Sequence, residues 1–212
     1  MNLEISYHTD KNSIPLKCER WKTENITHRE DDLPAYIEYY IEEATKVQKL
    51  KRELWIKKGE IHRENGPAYI HYDLDGNKTT EVWFKEGWTC RKNDLPSLIK
   101  YYSTGKIYRE EWIVGLTPEN AQYCRKNKKL PTSIVYYPDG NIKIEKYRYG
   151  KASYYRDNDL PCEIHRFQNG KVMTEKWYNE KELHREGKPA IINYSEDGEK
   201  ISEEFYLNGK KQ

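Results

Sequence analysis

The sequence lacks the segments that mark membrane, secreted and enzymatic proteins. No apolar run approaches the roughly 20 residues of a membrane-spanning helix. The first six residues contain neither a basic nor an apolar segment of the kind that begins a secretory signal. The chain also has no glycine-rich phosphate loop, no serine-nucleophile motif and no catalytic cysteine–histidine pair. We therefore expect a soluble, intracellular protein that is not secreted, has no integral membrane contact, and is neither an enzyme nor dependent on a cofactor.

Cysteine is scarce, and its spacing does not indicate a metal site. The four cysteines are Cys18, Cys90, Cys124 and Cys162, and no two of them have the close spacing of a zinc-binding motif. The sequence therefore predicts no metal.

Apolar residues are also few, since 36% of the 212 residues are hydrophobic and 34% are charged. Such a composition borders on that of a disordered chain. However, 13% of the residues are aromatic and they recur at regular intervals. A repeat array reconciles these facts, because each copy packs only on its neighbours and needs no thick core. The formal net charge of +2 gives no electrostatic signal for nucleic acid, which we regard as an unlikely partner.

The most informative pattern is a glutamate two residues before an aromatic residue, seven times along the chain. The glutamates are Glu19, Glu53, Glu81, Glu110, Glu145, Glu175 and Glu203, and the aromatics are Trp21, Trp55, Trp83, Trp112, Tyr147, Trp177 and Phe205. A spacing of this kind indicates one supersecondary element that is copied and stacked.

Two further signatures recur between the aromatics. A proline precedes each of the last five aromatics by sixteen residues, as from Pro67 to Trp83. An arginine, in contexts such as His62-Arg63-Glu64, follows each of the first six aromatics: Arg29, Arg63, Arg91, Arg125, Arg156 and Arg185. Two insertions of about five residues, near 41–50 and 114–121, interrupt this spacing.

Turn residues divide each copy into two short strands. Pairs such as Asp75-Gly76 lie before the aromatic strand, and glycines such as Gly59 lie after it, as expected for hairpins. The sequence thus predicts an all-β fold, an elongated, twisted antiparallel sheet of about seven successive hairpins. We treat residues 1–212 as a single repeat domain, with copies near 3–27, 28–61, 62–89, 90–123, 124–154, 155–183 and 184–210. The His-Arg-Glu stretch is expected to lie in line with the strand after the proline, with a bend at that proline or at a bulge.

Alternation along the strands predicts two structural ladders. Positions one, three and five after the proline form a small/Ile/Tyr ladder, as in Ala68, Ile70 and Tyr72, and Leu3, Ile5 and Tyr7 fill it in the first copy. The glutamates and aromatics form a second ladder, and the periodic arginines are expected to pair with the glutamates. Because these residues occur in every copy, the ladders favour a structural role over acid–base catalysis. His28, His62 and His184 have no second type of metal ligand nearby in the sequence, so a structural role is favoured for them as well.

The pattern Trp-Tyr-x-x-Gly/Glu-Lys-x-x-His-Arg-Glu-x-x-Pro-Ala-x-Ile-x-Tyr is clearest in residues 177–194 and 55–72. It resembles MORN-type repeats, and in particular the long-repeat variant of proteins from large DNA viruses of amoebae. The resemblance covers residues 3–210, although the standard MORN repeat is shorter and has glycines in place of His-Arg-Glu. It implies a non-catalytic scaffold for protein association, of viral origin, in the host cytoplasm or the virion. A bacterial antitoxin-like group with related repeats is an alternative.

Departures from the repeat are the expected binding surfaces. The two insertions are candidates for contact with an unknown protein partner. Lys126, Lys128 and Lys129 are candidates for contact with an acidic partner, and they support the alternative of peripheral binding to acidic membranes or phosphate-bearing ligands. Ile201, Phe205 and Leu207 lie on one face of the last strand, where we expect a homodimer interface.

Overall fold

The computed structural model describes residues 1–115, 122–123, 125, 127, 129–150, 153–154, 156 and 158–212. The regular secondary structure of these residues is β-strand. The chain divides into two compact units, Met1–Lys92 with Ser97–Lys106 and Asn93–Pro96 with Ile107–Gln212.

The first unit is an antiparallel sheet of consecutive strands. Its strands are β1 (Asn2–Thr9), β2 (Pro15–Thr23), β3 (Ile26–Thr27), β4 (Tyr36–Ile41), β5 (Gln48–Leu54), β6 (Ile56–Lys57), β7 (Glu60–Ile61), β8 (Tyr69–Tyr72), β9 (Lys78–Val82), β10 (Phe84–Lys85), β11 (Trp88–Thr89) and β12 (Leu98–Tyr101). The strand order in the sheet is β1-β2-β4-β5-β8-β9-β12, and β3 pairs with β2. The short strands β6 with β7 and β10 with β11 form separate two-stranded ribbons.

The second unit repeats this arrangement. Its strands are β13 (Ile107–Glu111), β14 (Ile113–Val114), β15 (Gln122–Tyr123), β16 (Ser133–Tyr136), β17 (Ile142–Lys146), β18 (Arg148–Tyr149), β19 (Ser153–Tyr154), β20 (Glu163–Arg166), β21 (Val172–Lys176), β22 (Tyr178–Asn179), β23 (Glu182–Leu183), β24 (Ile191–Tyr194), β25 (Lys200–Glu204), β26 (Tyr206–Leu207) and β27 (Lys210–Lys211). The sheet order is β13-β16-β17-β20-β21-β24-β25, again antiparallel. Four ribbons, from β14–β15 to β26–β27, accompany it. The predicted all-β fold of successive antiparallel hairpins is confirmed.

The predicted turns lie where glycine allows a positive φ. In the β8–β9 hairpin Gly76 has a φ of 86°, and the backbone N–H groups of Asp75 and Asn77 donate to the Asp73 carboxylate at 3.0 and 2.8 Å. Glycine tolerates this left-handed conformation because it has no Cβ. The hairpin turn is therefore encoded by local sequence.

The aromatic residue of the repeat interrupts the strand that was predicted to contain it. β5 ends at Leu54 and β6 begins at Ile56, so Trp55 lies at a break between sheet and ribbon. Its backbone N–H still donates to the Ala68 carbonyl at 2.9 Å, which ties the break to the next copy. A typical copy thus has two sheet strands and two ribbon strands, an even number that keeps successive copies in the same orientation.

The predicted line through His-Arg-Glu and the following strand is interrupted by a bend at residues 64–66. On either side of this bend the N–H groups of Arg63 and Ala68 still donate to the same neighbouring segment, to the carbonyls of Phe84 and Val82 at 3.2 and 2.9 Å. In other copies the bend is a turn that contains paired residues with positive φ, such as Asp31 and Asp32. The bulge lies instead within the sheet, between His71 and Tyr72, and it recurs at the equivalent position in later hairpins. Residues that favour turns precede each proline, and they produce this interruption.

In both units the small residues of the small/Ile/Tyr ladder are buried and its tyrosines from Tyr39 onward are partly buried. The small residues Ala35, Ala68, Ser97, Thr132, Cys162 and Ala190 are all buried. In the first unit Trp55, Ala68 and Ile70 form a core cluster. Each ladder isoleucine lies opposite a ladder glutamate, as Ile70 does opposite Glu53 and Glu81. Ile5 lies opposite Glu19 in the same register, as predicted for the first copy, but Leu3, Ile5 and Tyr7 are exposed there.

The insertion near 41–50 lengthens the β4–β5 hairpin. Its end is closed by the Glu42 N–H, which donates to the Val47 carbonyl at 3.0 Å. Residues 116–121 of the other insertion lie outside the described part of the chain.

Candidate functional site

All six periodic arginines stack on the aromatic residue that precedes them. The guanidinium carbon lies 3.7–3.9 Å from the ring centroid in the pairs Arg29–Trp21, Arg63–Trp55, Arg91–Trp83, Arg125–Trp112, Arg156–Tyr147 and Arg185–Trp177. Stacking of this kind combines ring packing with cation–π attraction.

Stacked arginines are also held by the carbonyl of the next proline, as in Arg29, Arg63, Arg125, Arg156 and Arg185. In three copies an aspartate of the preceding copy pairs with the arginine, in the pairs Arg63–Asp32, Arg125–Asp94 and Arg185–Asp159. Arg63 donates to the Pro67 carbonyl at 3.3 Å and forms a two-pronged pair with Asp32 at 2.9 and 3.0 Å. The Trp55 indole donates to the Asp32 carbonyl at 2.8 Å. We call this set an arginine clamp, formed by Asp32, Trp55, Arg63 and Pro67.

The clamp recurs in the second unit with Asp159, Trp177, Arg185 and Pro189. Arg185 pairs with Asp159 at 2.8 and 2.9 Å, and the Trp177 indole donates to the Asp159 carbonyl at 2.9 Å. Hydrogen bonds from Arg185 and Lys188 lower the pKa of Asp159 to about 2. Asp32 and Asp159 were not singled out in the sequence, although the recurring Asp-Leu-Pro was a visible signal.

In the described part of the chain, the ladder glutamates accept from groups other than the predicted arginines. The phenol of the following copy's tyrosine donates to the glutamate instead, from Tyr39, Tyr72, Tyr101, Tyr136 and Tyr194 to Glu19, Glu53, Glu81, Glu110 and Glu175 at 2.5–3.4 Å. Burial and the hydrogen bond to Glu175 raise the pKa of Tyr194 to about 12. The arginine donors are used elsewhere: Arg63 donates to Asp32 and to the Pro67 carbonyl while its face lies on Trp55.

One copy replaces the tyrosine by a cation. Arg166 occupies the tyrosine position and pairs with Glu145 at 2.7 Å. Either a phenol or a guanidinium can therefore donate to the glutamate from that position.

The three histidines of the His-Arg-Glu motif support the next ribbon. The Nδ1 atoms of His28, His62 and His184 accept the backbone N–H groups of Lys58, Glu86 and Asn208 at 3.1–3.2 Å. These three donor residues have positive φ. An accepting Nδ1 leaves the proton on Nε2, and that of His28 faces Glu30 at 2.8 Å. The histidines are therefore structural turn acceptors in the described residues.

The opposite sheet face carries buried carboxylates surrounded by cations. In the second unit Glu163 is 4% exposed and contacts His165 and Lys146. Burial alone would raise the pKa of Glu163, but these hydrogen bonds lower it to about 2. In the first unit Glu38 is 1% exposed and pairs with Arg52 at 2.8 Å. Sequence reasoning missed this face because its residues do not repeat.

The predicted contact surfaces are only partly described. Lys129 is exposed, whereas Lys126 and Lys128 lie outside the described residues, as does Cys124. Ile201, Phe205 and Leu207 are 67%, 42% and 40% exposed. They do not share one strand as predicted, since Ile201 lies on β25, Phe205 at the break after it and Leu207 on β26. Phe205 holds the place of the stacked aromatics, and its backbone carbonyl accepts the Gln212 N–H at 3.0 Å. An apolar surface is thus exposed at the last copy.

Comparison with protein-family models and with curated proteins finds no match. The resemblance to MORN-type repeats therefore stays a prediction. No helix among the described residues is long and apolar enough to cross a membrane.

Proposed function

We propose that this protein is a non-catalytic scaffold that mediates protein–protein association, built from repeats of the MORN type. The observation that supports this proposal is the use of the repeated polar side chains. Arginines stack on aromatics, glutamates accept from tyrosines, and histidines accept from turns. The glutamates and histidines, which are residue types suited to acid–base chemistry, thus form contacts that stabilise the copies.

A scaffold built in this way recognises its partner through features that depart from the repeat. The extended β4–β5 hairpin is the best described departure. Glu42, Glu43, Thr45, Lys46 and Val47 are exposed there, and a bond of the Thr45 hydroxyl to the Glu42 carboxylate at 2.6 Å stabilises the turn. The tip is a folded projection that offers side chains without a structural role in the ladders.

The test compares two turn variants in quantitative affinity purification. In the first, residues 42–47 are replaced by a short Asp-Gly turn, which should leave the sheet folded and remove the projection. In the matched control, the Ser195–Gly198 turn is replaced by Asp-Leu-Asp-Gly, the sequence of the equivalent turn at residues 73–76. We expect the captured partner to be depleted at least tenfold by the first change and retained with the second.

Two results would contradict the scaffold. Turnover by the purified protein in hydrolase or transferase substrate panels would indicate an enzyme. Flotation with acidic vesicles that is lost at high salt, and unaffected by the hairpin change, would favour peripheral membrane binding.

A further inference from the structure

Three side chains of metal-binding types converge on one face of the first unit. His8 on β1, Cys18 on β2 and Glu38 on β4 come from three adjacent strands, and Cys18 lies directly opposite Glu38 in the register. Their ligand atoms all lie within 4.8 Å of one another. Sequence reasoning missed this cluster, because ten and twenty residues separate its members.

The separations fit a tetrahedral ion. Cys18 Sγ lies 3.4 Å from Glu38 Oε1, His8 Nε2 lies 3.4 Å from the same oxygen, and His8 Nε2 lies 4.0 Å from Sγ. Tetrahedral zinc with ordinary bond lengths places its sulfur, nitrogen and oxygen ligands roughly 3.3–3.6 Å apart. The Sγ–Nε2 separation is longer than this, whereas Nδ1 of the same ring lies 3.6 Å from Sγ. A small rotation of the exposed imidazole would bring all three ligand atoms to bonding distance.

Glu38 is already oriented by an outer group of cations. Its Oε2 pairs with Arg52 at 2.8 Å and lies 3.4 Å from Lys51. Its Oε1 faces the other two ligand atoms and accepts from the Tyr36 hydroxyl and from a second Arg52 nitrogen, both at 3.1 Å. Ligating carboxylates in metal sites are commonly held by such outer partners. The Glu38 carboxylate and these two cations sum to a charge of +1, and a thiolate formed at Cys18 brings the sum to zero before the ion binds.

The cluster is not a product of the repeat. The pairs equivalent to Cys18 and Glu38 in other copies are Arg52 with His71, Thr80 with Lys100, Arg109 with Val135, Ile144 with His165 and Thr174 with Asn193. None of these five pairs consists of a cysteine and a glutamate. The cluster is therefore a local departure, of the kind expected for a binding site.

We propose that His8, Cys18 and Glu38 bind one Zn²⁺, with water in the fourth position. Thiolate and imidazole are preferred zinc ligands, and the carboxylate completes a mixed set. Binding through sulfur releases the Cys18 proton. His8 is 46% exposed, so the ion has access from solvent. Because the ligands lie on β1, β2 and β4, the bound ion joins the outer strand β1 to the sheet.

The first test uses metal titration of the reduced, chelator-treated protein. We expect one equivalent of Zn²⁺ to compete with a chromophoric chelator, and Co²⁺ to give a sulfur-to-cobalt charge-transfer band with the visible bands of a tetrahedral ion. Cys18→Ser should remove the charge-transfer band, and His8→Gln should weaken affinity by at least about 100-fold. Cys162→Ser, at a buried cysteine of the other unit, is the matched control and should change neither.

The second test measures hydrogen exchange along β1. Zinc should slow exchange of the β1 amides in the wild type and have no effect in His8→Gln, a change at an exposed side chain that leaves the fold intact. The proposal is overturned if Zn²⁺ does not bind, if the cobalt spectrum is octahedral, or if His8→Gln binds zinc as the wild type does.

Discussion

At the residue scale, the arginine clamp joins neighbouring copies through one side chain. Arg63 uses the face of its guanidinium on Trp55 and its edge on Asp32 and the Pro67 carbonyl. A lysine retains the charge but has neither the planar face nor the fork of donors. The identity of the residue, and not its charge alone, is therefore what the fold requires.

We expect Arg63→Lys to lower the free energy of unfolding by about 1–2 kcal/mol, the combined loss of the stack and the forked pair. Urea denaturation followed by tryptophan fluorescence measures this change. Arg20→Lys, at an exposed arginine, is the control and should have an effect within about 0.5 kcal/mol. Equal stability of the Arg63 variant and the wild type would show that the clamp contributes only charge.

The buried carboxylate of Glu163 gives the stability a defined pH dependence. Its pKa is about 2 in the folded protein and 4.5 ordinarily, so the unfolded chain binds the proton more tightly. The stabilisation is complete above pH 4.5 and is lost as the pH falls towards 2. It amounts to about 3 kcal/mol at most.

Glu163→Gln should therefore be less stable than the wild type at pH 7, and its stability should fall less steeply between pH 4.5 and 2. Thermal unfolding monitored by circular dichroism across this range tests the prediction. Glu196→Gln, at an exposed turn residue, should reproduce the wild-type slope. Parallel slopes for Glu163→Gln and the wild type would place the acid sensitivity elsewhere.

At the scale of strands and hairpins, the sequence predicted the features that depend on residues close together in the chain. The Asp-Gly turns, the buried alanines at positions such as Ala68 and the first-copy isoleucine Ile5 were all predictable, because turn preference and alternation act within a few residues. The break at Trp55 was not predictable in this way. It depends on a hydrogen bond to the next copy, which the period indicates but the local sequence does not. The cluster of His8, Cys18 and Glu38 was missed for a similar reason, since it depends on the register between strands.

The β8–β9 hairpin tests how strongly turn conformation stabilises one copy. A Cβ added at Gly76 meets no atom within 4 Å, so any effect of substitution comes from the φ of 86°. We expect Gly76→Ala to lower stability by about 1 kcal/mol and Gly76→Asn to lower it less, because asparagine tolerates the left-handed region. Urea midpoints of the two variants measure the difference. If alanine and asparagine were equally tolerated, the turn would not limit the stability of the hairpin.

At the scale of the whole molecule, stability comes from contacts between neighbouring copies, as in other repeat proteins. The last copy has a neighbour on one side only among the described residues, since β25 pairs with β24. A pocket lined by Arg185, Gly187, Phe205, Tyr206, Leu207 and Gln212 lies beside it. Lys200 and Glu203 lie on the same strand and discourage unselective pairing. A self-complementary contact would cover the apolar residues while the charged ones determine its geometry.

We therefore predict a two-fold homodimer through the last copy, because a two-fold contact buries this surface in both chains and forms no open filament. Phe205→Glu combined with Leu207→Glu should convert the dimer into a folded monomer, since two carboxylates per chain would face their own copies across the interface. Analytical ultracentrifugation at tens of micromolar measures the mass, and circular dichroism checks the fold. Leu74→Glu, at an exposed leucine of the other unit, should remain dimeric. A wild type that is already monomeric, or a double variant that stays dimeric, would mean that charge alone protects the edge and that the last copy is not the interface.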